Sequence, residues 1–171
     1  RLELVSLSPE VLKALLAGRL AEAEEATGLR FPEQWEAENE WLFRLRIDQM
    51  KKDPGTQPWL LRAIVLGDGS RTVIGHINFH EPPGTKGAVE IGYTIEPPYR
   101  RMGYATEAVE GMFAWAEREH GVRRFIASVS PENEPSLGLI ANLGFERTGV
   151  QWDELDGEEI VFELSRHEGL D

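Results

Sequence analysis

The sequence contains no cysteine, which excludes a disulfide framework, a thiolate metal site and a cysteine nucleophile, and fits a reducing compartment. No apolar run approaches the roughly 20 residues of a membrane span. The first residues, RLELVSLSPE, lack the basic-then-apolar order of a signal peptide. The expectation is a soluble, cytoplasmic protein with no membrane partner. No Gly/Ser linker, low-complexity tract or internal repeat divides the chain, so 171 residues with 41% hydrophobic content predict a single domain over 1–171. Basic residues are also few, 18 Lys and Arg against 30 Asp and Glu, for a formal charge of -12. That deficit argues against a duplex nucleic-acid partner, which cations must hold by its phosphates. The acidic excess either attracts a cationic substrate or only keeps the protein dissolved.

Periodicity supplies the elements. LELVSL reads as a short strand. Ser8-Pro9-Glu10 then sets an N-cap and a first-turn proline for a helix whose Leu12, Leu15, Leu16 and Leu20 fall near helical spacing. A second helix is expected from about Pro32 to Lys52, stopped by Asp53-Pro54-Gly55. WLLRAIVL, the turn GDGS and RTVIGHINFH read as a β-hairpin, and AVEIGYTI follows as a third antiparallel strand. From Gly103 the period becomes helical, with Ala105, Ala108, Val109, Met112, Phe113 and Ala116 on one stripe. VRRFIASVS is a further strand, EPSLGLIANLG a short helix ending at Gly144, and a hairpin turning near Asp156-Gly157 completes the pattern. The strand-helix-strand passage from about 88 to 129 predicts one parallel βαβ crossover. The fold class is therefore α/β (α+β): a mixed, mostly antiparallel sheet of about seven strands flanked by helices.

One stretch carries the chemistry: IEPPYRRMGYATEAV, Ile95 to Val109. A helix starting at Gly103 leaves its first N–H groups unpaired and its positive dipole end open, a ready anion site. Gly103 and Ala105 let a bulky anion approach, while Arg100 and Arg101 add charged donors suited to phosphate oxygens. The local reading is phosphate or pyrophosphate; the bland alternative is a solvated pair of turn arginines. Neither G-x-x-x-x-G-K-[ST] nor G-x-G-x-x-G occurs.

With those residues in view, IEPPYRRMGYA resembles the signature loop of the GNAT superfamily of acetyl-CoA-dependent N-acetyltransferases. Arg100, Gly103 and Ala105 match the three defining positions of its R/Q-x-x-G-x-G/A motif. NEPSLGLIANLGF is similar to a second family segment, matched by Asn133, Ser136, Leu143, Gly144 and Phe145. The likeness covers roughly residues 57 to 165, and within the superfamily it resembles the branch of ribosomal-protein N-terminal acetyltransferases and related small-molecule enzymes.

The resemblance implies that the coenzyme A pyrophosphate lies on the backbone of Arg101, Met102, Gly103, Tyr104 and Ala105, with Arg100 close by and Thr106 adding a hydroxyl. It implies a pantetheine arm along Thr94, Ile95 and Glu96, contacted by Asn133, and an oxyanion near the Ile95 amide. Acetyl-CoA is then the co-substrate, a primary amine the acceptor, and no metal is expected. Glu90, a carboxylate interrupting an apolar strand, is the first candidate for the base, or else a paired structural group. His80 is the second, because His76, Asn78 and His80 share a strand face that the hairpin can bring near Glu90. Many members carry a tyrosine that protonates the leaving thiolate; Ile140 stands there in this sequence, and Ser136 is the hydroxyl in its place. Trp35, Trp41, Phe43 and Trp59, with Glu36, Glu38 and Glu40 interleaved, either receive the amine or belong to the core. The alternative function is a non-catalytic acyl-CoA binding or sensing module, which Ile140 favours. A homodimer stays open.

Overall fold

Alternating and helical patterns sort the chain into one sheet with helices on both of its faces. The computed structural model describes residues 1–166, so the last five residues of the expected 1–171 unit lie outside the described residues. Among the described residues there are seven strands: β1 (Leu2–Ser6), β2 (Arg62–Leu66), β3 (Val73–Phe79), β4 (Ala88–Ile95), β5 (Arg124–Val129), β6 (Glu146–Asp153) and β7 (Gly157–Ser165). They form a sheet in the order β1-β2-β3-β4-β5-β7-β6, antiparallel at every pairing except β4 with β5. The helices are α1 (Pro9–Leu16), α2 (Leu20–Thr27), α3 (Trp35–Glu38), α4 (Glu40–Lys52), α5 (Tyr104–His120) and α6 (Glu134–Asn142). No described helix is long and apolar enough to cross a membrane.

The N-terminal third departs from its periodicity in two places. Ser8 Oγ accepts from the Val11 N–H at 3.2 Å, as an N-cap does, but α1 stops at Leu16. Gly18, at φ +77°, turns the chain, and Leu20 opens α2 instead of extending α1. The helix expected over 32–52 is likewise two. Asn39 donates from Nδ2 to the Trp35 carbonyl at 2.8 Å, ending α3, while its own carbonyl accepts from Phe43 and starts α4.

The two faces of the sheet are built differently. Ala108, Val109, Met112, Phe113 and Ala116 of α5 are buried. Phe113 stacks on Phe125 with ring centroids 3.9 Å apart and on Phe79 at 6.4 Å. Each fully buried phenyl contributes about 1.5–3 kcal/mol relative to exposure. The register pairs Phe79 with Ile91 and Ile77 with Tyr93, so these share the α5 face. His76, opposite Thr94, and Asn78, opposite Gly92, point to the α4 face.

That second face carries a polar cluster closed by a buried cation. Arg46, 4% exposed, donates from Nε and Nη2 to Asn78 Oδ1 at 3.1 and 2.5 Å and from Nη1 to Gln49 Oε1 at 2.6 Å. Gln49 Nε2 donates to the His80 carbonyl at 2.9 Å. Burial pushes the guanidinium down to about 10, still charged at any physiological pH. His76, 5% exposed, faces Asn39 Oδ1 through Nε2 at 3.0 Å. Because Asn39 Nδ2 is committed to Trp35, the imidazole Nε2 is the donor in that pair. Burial first, and the Arg46 charge second, push His76 down to about 4.

A histidine depressed in the folded state binds its proton in the unfolded chain first, so stability is lost as pH falls from the ordinary 6.5 toward about 4. The gap corresponds to about 3 kcal/mol. Denaturant unfolding between pH 7 and pH 4 should show this loss for the native protein and a shallower one for His76→Gln; equal slopes would contradict it.

Candidate active site

The site begins where two parallel strands part. β4 and β5 pair only through Ala88↔Arg124, Val89↔Phe125 and Glu90↔Ile126. Beyond that, β4 stays on β3 to Ile95 and β5 stays on β7 to Val129. Gly75 lets β4 keep to β3, since a Cβ there would stand 2.1 Å from the Thr94 carbonyl oxygen. The His80 N–H donates to the Glu90 carbonyl at 2.9 Å and the Glu96 N–H to the Ile74 carbonyl at 2.8 Å. Even-numbered residues of β4 thus spend their main-chain groups on β3, while Ile91, Tyr93 and Ile95 turn theirs into the gap.

A cavity of about 710 Å³ occupies this gap, floored by Tyr93, Thr94 and Ile95. One wall is the loop and first turn of α5: Arg100, Arg101, Gly103, Tyr104, Ala105 and Thr106. The opposite wall is the start of α6, with Asn133 and Ser136. Ten of the residues expected at a cofactor site therefore meet in one place. Glu96 and Met102 do not line the cavity. The Glu96 amide is used by Ile74, and its carboxyl is raised by burial and by Glu38, with Arg100 opposing. Met102 is half exposed, its carbonyl accepting from Arg1 Nη2 at 3.0 Å.

The loop is shaped to receive an anion. Arg101 adopts φ +64°, a left-handed conformation that costs a non-glycine residue about 1–2 kcal/mol, and Gly103 follows at φ +81°. The N–H groups of Tyr104, Ala105 and Thr106 open α5 with no intrahelical partner. Arg100 Nε donates to the Ile95 carbonyl at 2.8 Å, which anchors the guanidinium at the strand end and leaves its other donors for a ligand. Arg1 lies 4.5 Å over the Tyr104 ring and pairs with Glu107, adding a further cation at this helix end.

Across the cavity, Asn133 Oδ1 accepts from the Ser136 N–H at 3.3 Å and caps α6, so its Nδ2 is the group left for a ligand. Ser136 Oγ accepts from the Tyr93 hydroxyl at 3.2 Å. Burial pushes the Tyr93 phenol up, with the Ser136 bond opposing. Sequence reading did not single out Tyr93, which shares its strand phase with the buried Val89 and Ile91. Ile140, by contrast, is fully buried in the core.

On the other face of β4, Glu90 and His80 form a cross-strand pair, Oε2 to Nδ1 at 3.3 Å. The imidazole lies over Gly92, the one residue type without a Cβ to displace it. Nearly half of the His80 side chain stays open. Crowding still lowers its pKa, opposed first by Glu90, reinforced by Arg46 and opposed again by Glu81 and Asp153. Glu159, raised mainly by burial, also feels Asp153, Asp156 and Glu90, so several carboxylates surround this pair. Among the aromatics considered for the acceptor, Trp35, Phe43 and Trp59 are core residues, whereas Trp41 is exposed.

Residues 1–146 match the acetyltransferase (GNAT) domain family. The uncharacterized N-acetyltransferase YnaD of Bacillus subtilis is 36% identical over 77 residues, 45% of this chain and 45% of that protein. The [ribosomal protein uS5]-alanine N-acetyltransferase of Escherichia coli is 32% identical over 91 residues, 52% of this chain and 47% of that protein. The chain thus spans about half the length of the curated relatives it matches. Among solved structures, the ribosomal-protein-S5-alanine acetyltransferase of Vibrio fischeri shares the fold at TM-score 0.66 and 15% identity, over 98% of this chain and 94% of that one. A ribosomal L7/L12 α-N-protein acetyltransferase in complex with coenzyme A has TM-score 0.66 and 15% identity, over 96% and 94%.

Gly92 offers a direct test of the His80–Glu90 geometry, since a Cβ there would stand 3.2 Å from His80 Nε2 and 3.5 Å from Asn78 Nδ2. NMR titration should place the native His80 below the ordinary 6.5 and move it back toward 6.5 in Gly92→Ala as the ring is pushed into solvent. An unmoved titration would refute the packing.

Proposed function

The chain belongs to the GNAT acetyltransferase family, and from that premise we propose that it transfers the acetyl group of acetyl-CoA directly to a primary amine, working as one catalytic domain. The amine is that of a small molecule or of a protein N-terminus. The observation that carries this reading is the parting of β4 and β5 beside an anion-receptive loop, so that one cavity joins a phosphate cradle to an unpaired strand edge.

The residues fit the cofactor in kind. The amides of Arg101, Gly103, Tyr104 and Ala105, with Arg100 and the Thr106 hydroxyl, suit the pyrophosphate, and the missing Cβ of Gly103 leaves the cradle open. The Tyr93 and Ile95 main chain and Asn133 Nδ2 suit the amides of the pantetheine arm. When bound, acetyl-CoA supplies the activated acyl carbon. An aliphatic amine is mostly protonated at neutral pH and must lose that proton before it can attack. Glu90, held 3.3 Å from His80 Nδ1, is the base, acting directly or through water. Ser136 lines the cavity and would offer its hydroxyl to the leaving thiolate. Glu90 lies on the α4 face and the cofactor wall on the α5 face, so the amine approaches from the side opposite the cofactor. The carboxylates Asp153 and Glu159 near that entrance favour a cationic acceptor.

An amine and N-terminal-peptide screen with acetyl-CoA, read by thiol release and product mass, tests the proposal. At least one acceptor should be acetylated; bound acetyl-CoA with no thiol release above hydrolysis would leave only the binding-module reading. Glu90→Gln should lower turnover about 10²-fold or more while retaining acetyl-CoA affinity. Gly103→Glu should abolish that affinity by placing a carboxylate in the phosphate cradle, and unchanged binding would contradict the placement.

A further inference from the structure

The Tyr93 and Ser136 hydroxyls form a pair that the sequence reading leaves without a joint role. Tyr93 donates to Ser136 Oγ at 3.2 Å, so the serine's own hydrogen is free to turn into the cavity that both residues line. Ser136 is fixed from behind as well, its N–H held by Asn133 Oδ1. Resting on the acetyl-transfer reading, we propose that Tyr93 is the proton source for the leaving thiolate and acts through Ser136.

Acidity decides between one hydroxyl and two. An aliphatic hydroxyl is about as weak an acid as water, near 15.7, whereas a thiol titrates near 8.5. Ser136 alone would give its proton to a thiolate against about seven pKa units. A phenol, ordinarily near 10, narrows that gap to about 1.5. Burial of Tyr93 widens the gap somewhat and keeps the phenol protonated throughout the neutral range. In the step, the acyl C–S bond breaks with its electrons on sulfur. Sulfur takes the Ser136 proton, Ser136 Oγ takes the phenol proton, and solvent returns a proton to the phenolate. The net change is amine plus thioester to amide plus thiol. The charged groups that line the cavity together with this pair are Arg100 and Arg101 on the loop wall and Glu134 at the start of α6. The two cations favour the transient anionic charge, and His80 and Glu90 lie on the opposite face of β4.

The test compares the native protein with Tyr93→Phe, Ser136→Ala and the double variant. Turnover in Tyr93→Phe should fall about 10²-fold with acetyl-CoA affinity unchanged, and the double variant should be no slower than the slower single one, because both act in one step. A second readout needs no turnover. Affinity for coenzyme A, whose thiol titrates, should rise with pH in the native protein and rise less in Tyr93→Phe, with acetyl-CoA as the non-titrating control. Native-like turnover in Tyr93→Phe, or identical pH dependence of coenzyme A affinity in both proteins, would overturn the role of Tyr93. Absence of any acetyl transfer by the native protein would instead count against the reading on which it rests.

Discussion

The early end of the β4–β5 pairing is the constraint on which the site depends. A strand inside a sheet spends its N–H and C=O groups on two neighbours, yet β4 keeps its β5 neighbour only as far as Glu90. The cause lies on the other side of the strand. Gly75, without a Cβ, lets β3 hold the end of β4 closely enough that the Glu96 N–H still reaches the Ile74 carbonyl. β4 therefore cannot follow β5 toward β7, and the edge carrying Tyr93 and Ile95 is left facing a cavity in mid-sheet. Arg100 takes up the Ile95 carbonyl, which ties the loop to the strand end and sets the distance between cradle and edge.

The same strand divides the chemistry by parity. Tyr93 belongs with α5 and α6, while Glu90 and Gly92 belong with α4 and the end of β3. The α4 face is held by Arg46, a buried cation met by the neutral acceptors Asn78, Gln49 and the His80 carbonyl. A buried charge without a counter-charge is costly, and its effect is felt nearby: the Arg46 charge adds to burial, the larger cause, in lowering the pKa of both His76 and His80. Its hydrogen bonds also fix Asn78, whose Nδ2 donates to the Gly92 carbonyl at 3.2 Å. Arg46 thus links α4 to β4 both mechanically and electrostatically.

The sheet and its order of elements were legible in the sequence because they rest on local patterns: hairpin turns, period-two strands and the long α5 stripe. The breaks at Gly18 and Asn39 were not, since apolar spacing runs across both and only tertiary placement shows where the chain turns. In the site, Gly103 and Ala105 were readable because a helix start and small residues state their chemistry locally. Glu90 drew attention as a carboxylate in an apolar strand. Tyr93 did not, because an aromatic at that phase is what a core strand also contains, and its hydroxyl partner is 43 positions away. Arg46 was hidden for the same reason: nothing in EWLFRLRIDQM separates its buried guanidinium from those of Arg44 on the surface.

Charge explains why the two halves of the proposed reaction do not interfere. The chain is acidic overall, but the cations Arg100 and Arg101 and the positive end of α5 gather on one face of β4, and Glu90, Asp153 and Glu159 on the other. As proposed, an anionic cofactor and a cationic amine would thereby be sorted to opposite faces before any bond changes. In the proposed reaction the proton leaving the amine and the proton reaching sulfur would pass through different groups, Glu90 beside His80 on one side and Ser136 with Tyr93 on the other. A site built this way needs no group to serve as both acid and base in succession, and no nucleophile of its own to carry the acyl group between the two faces.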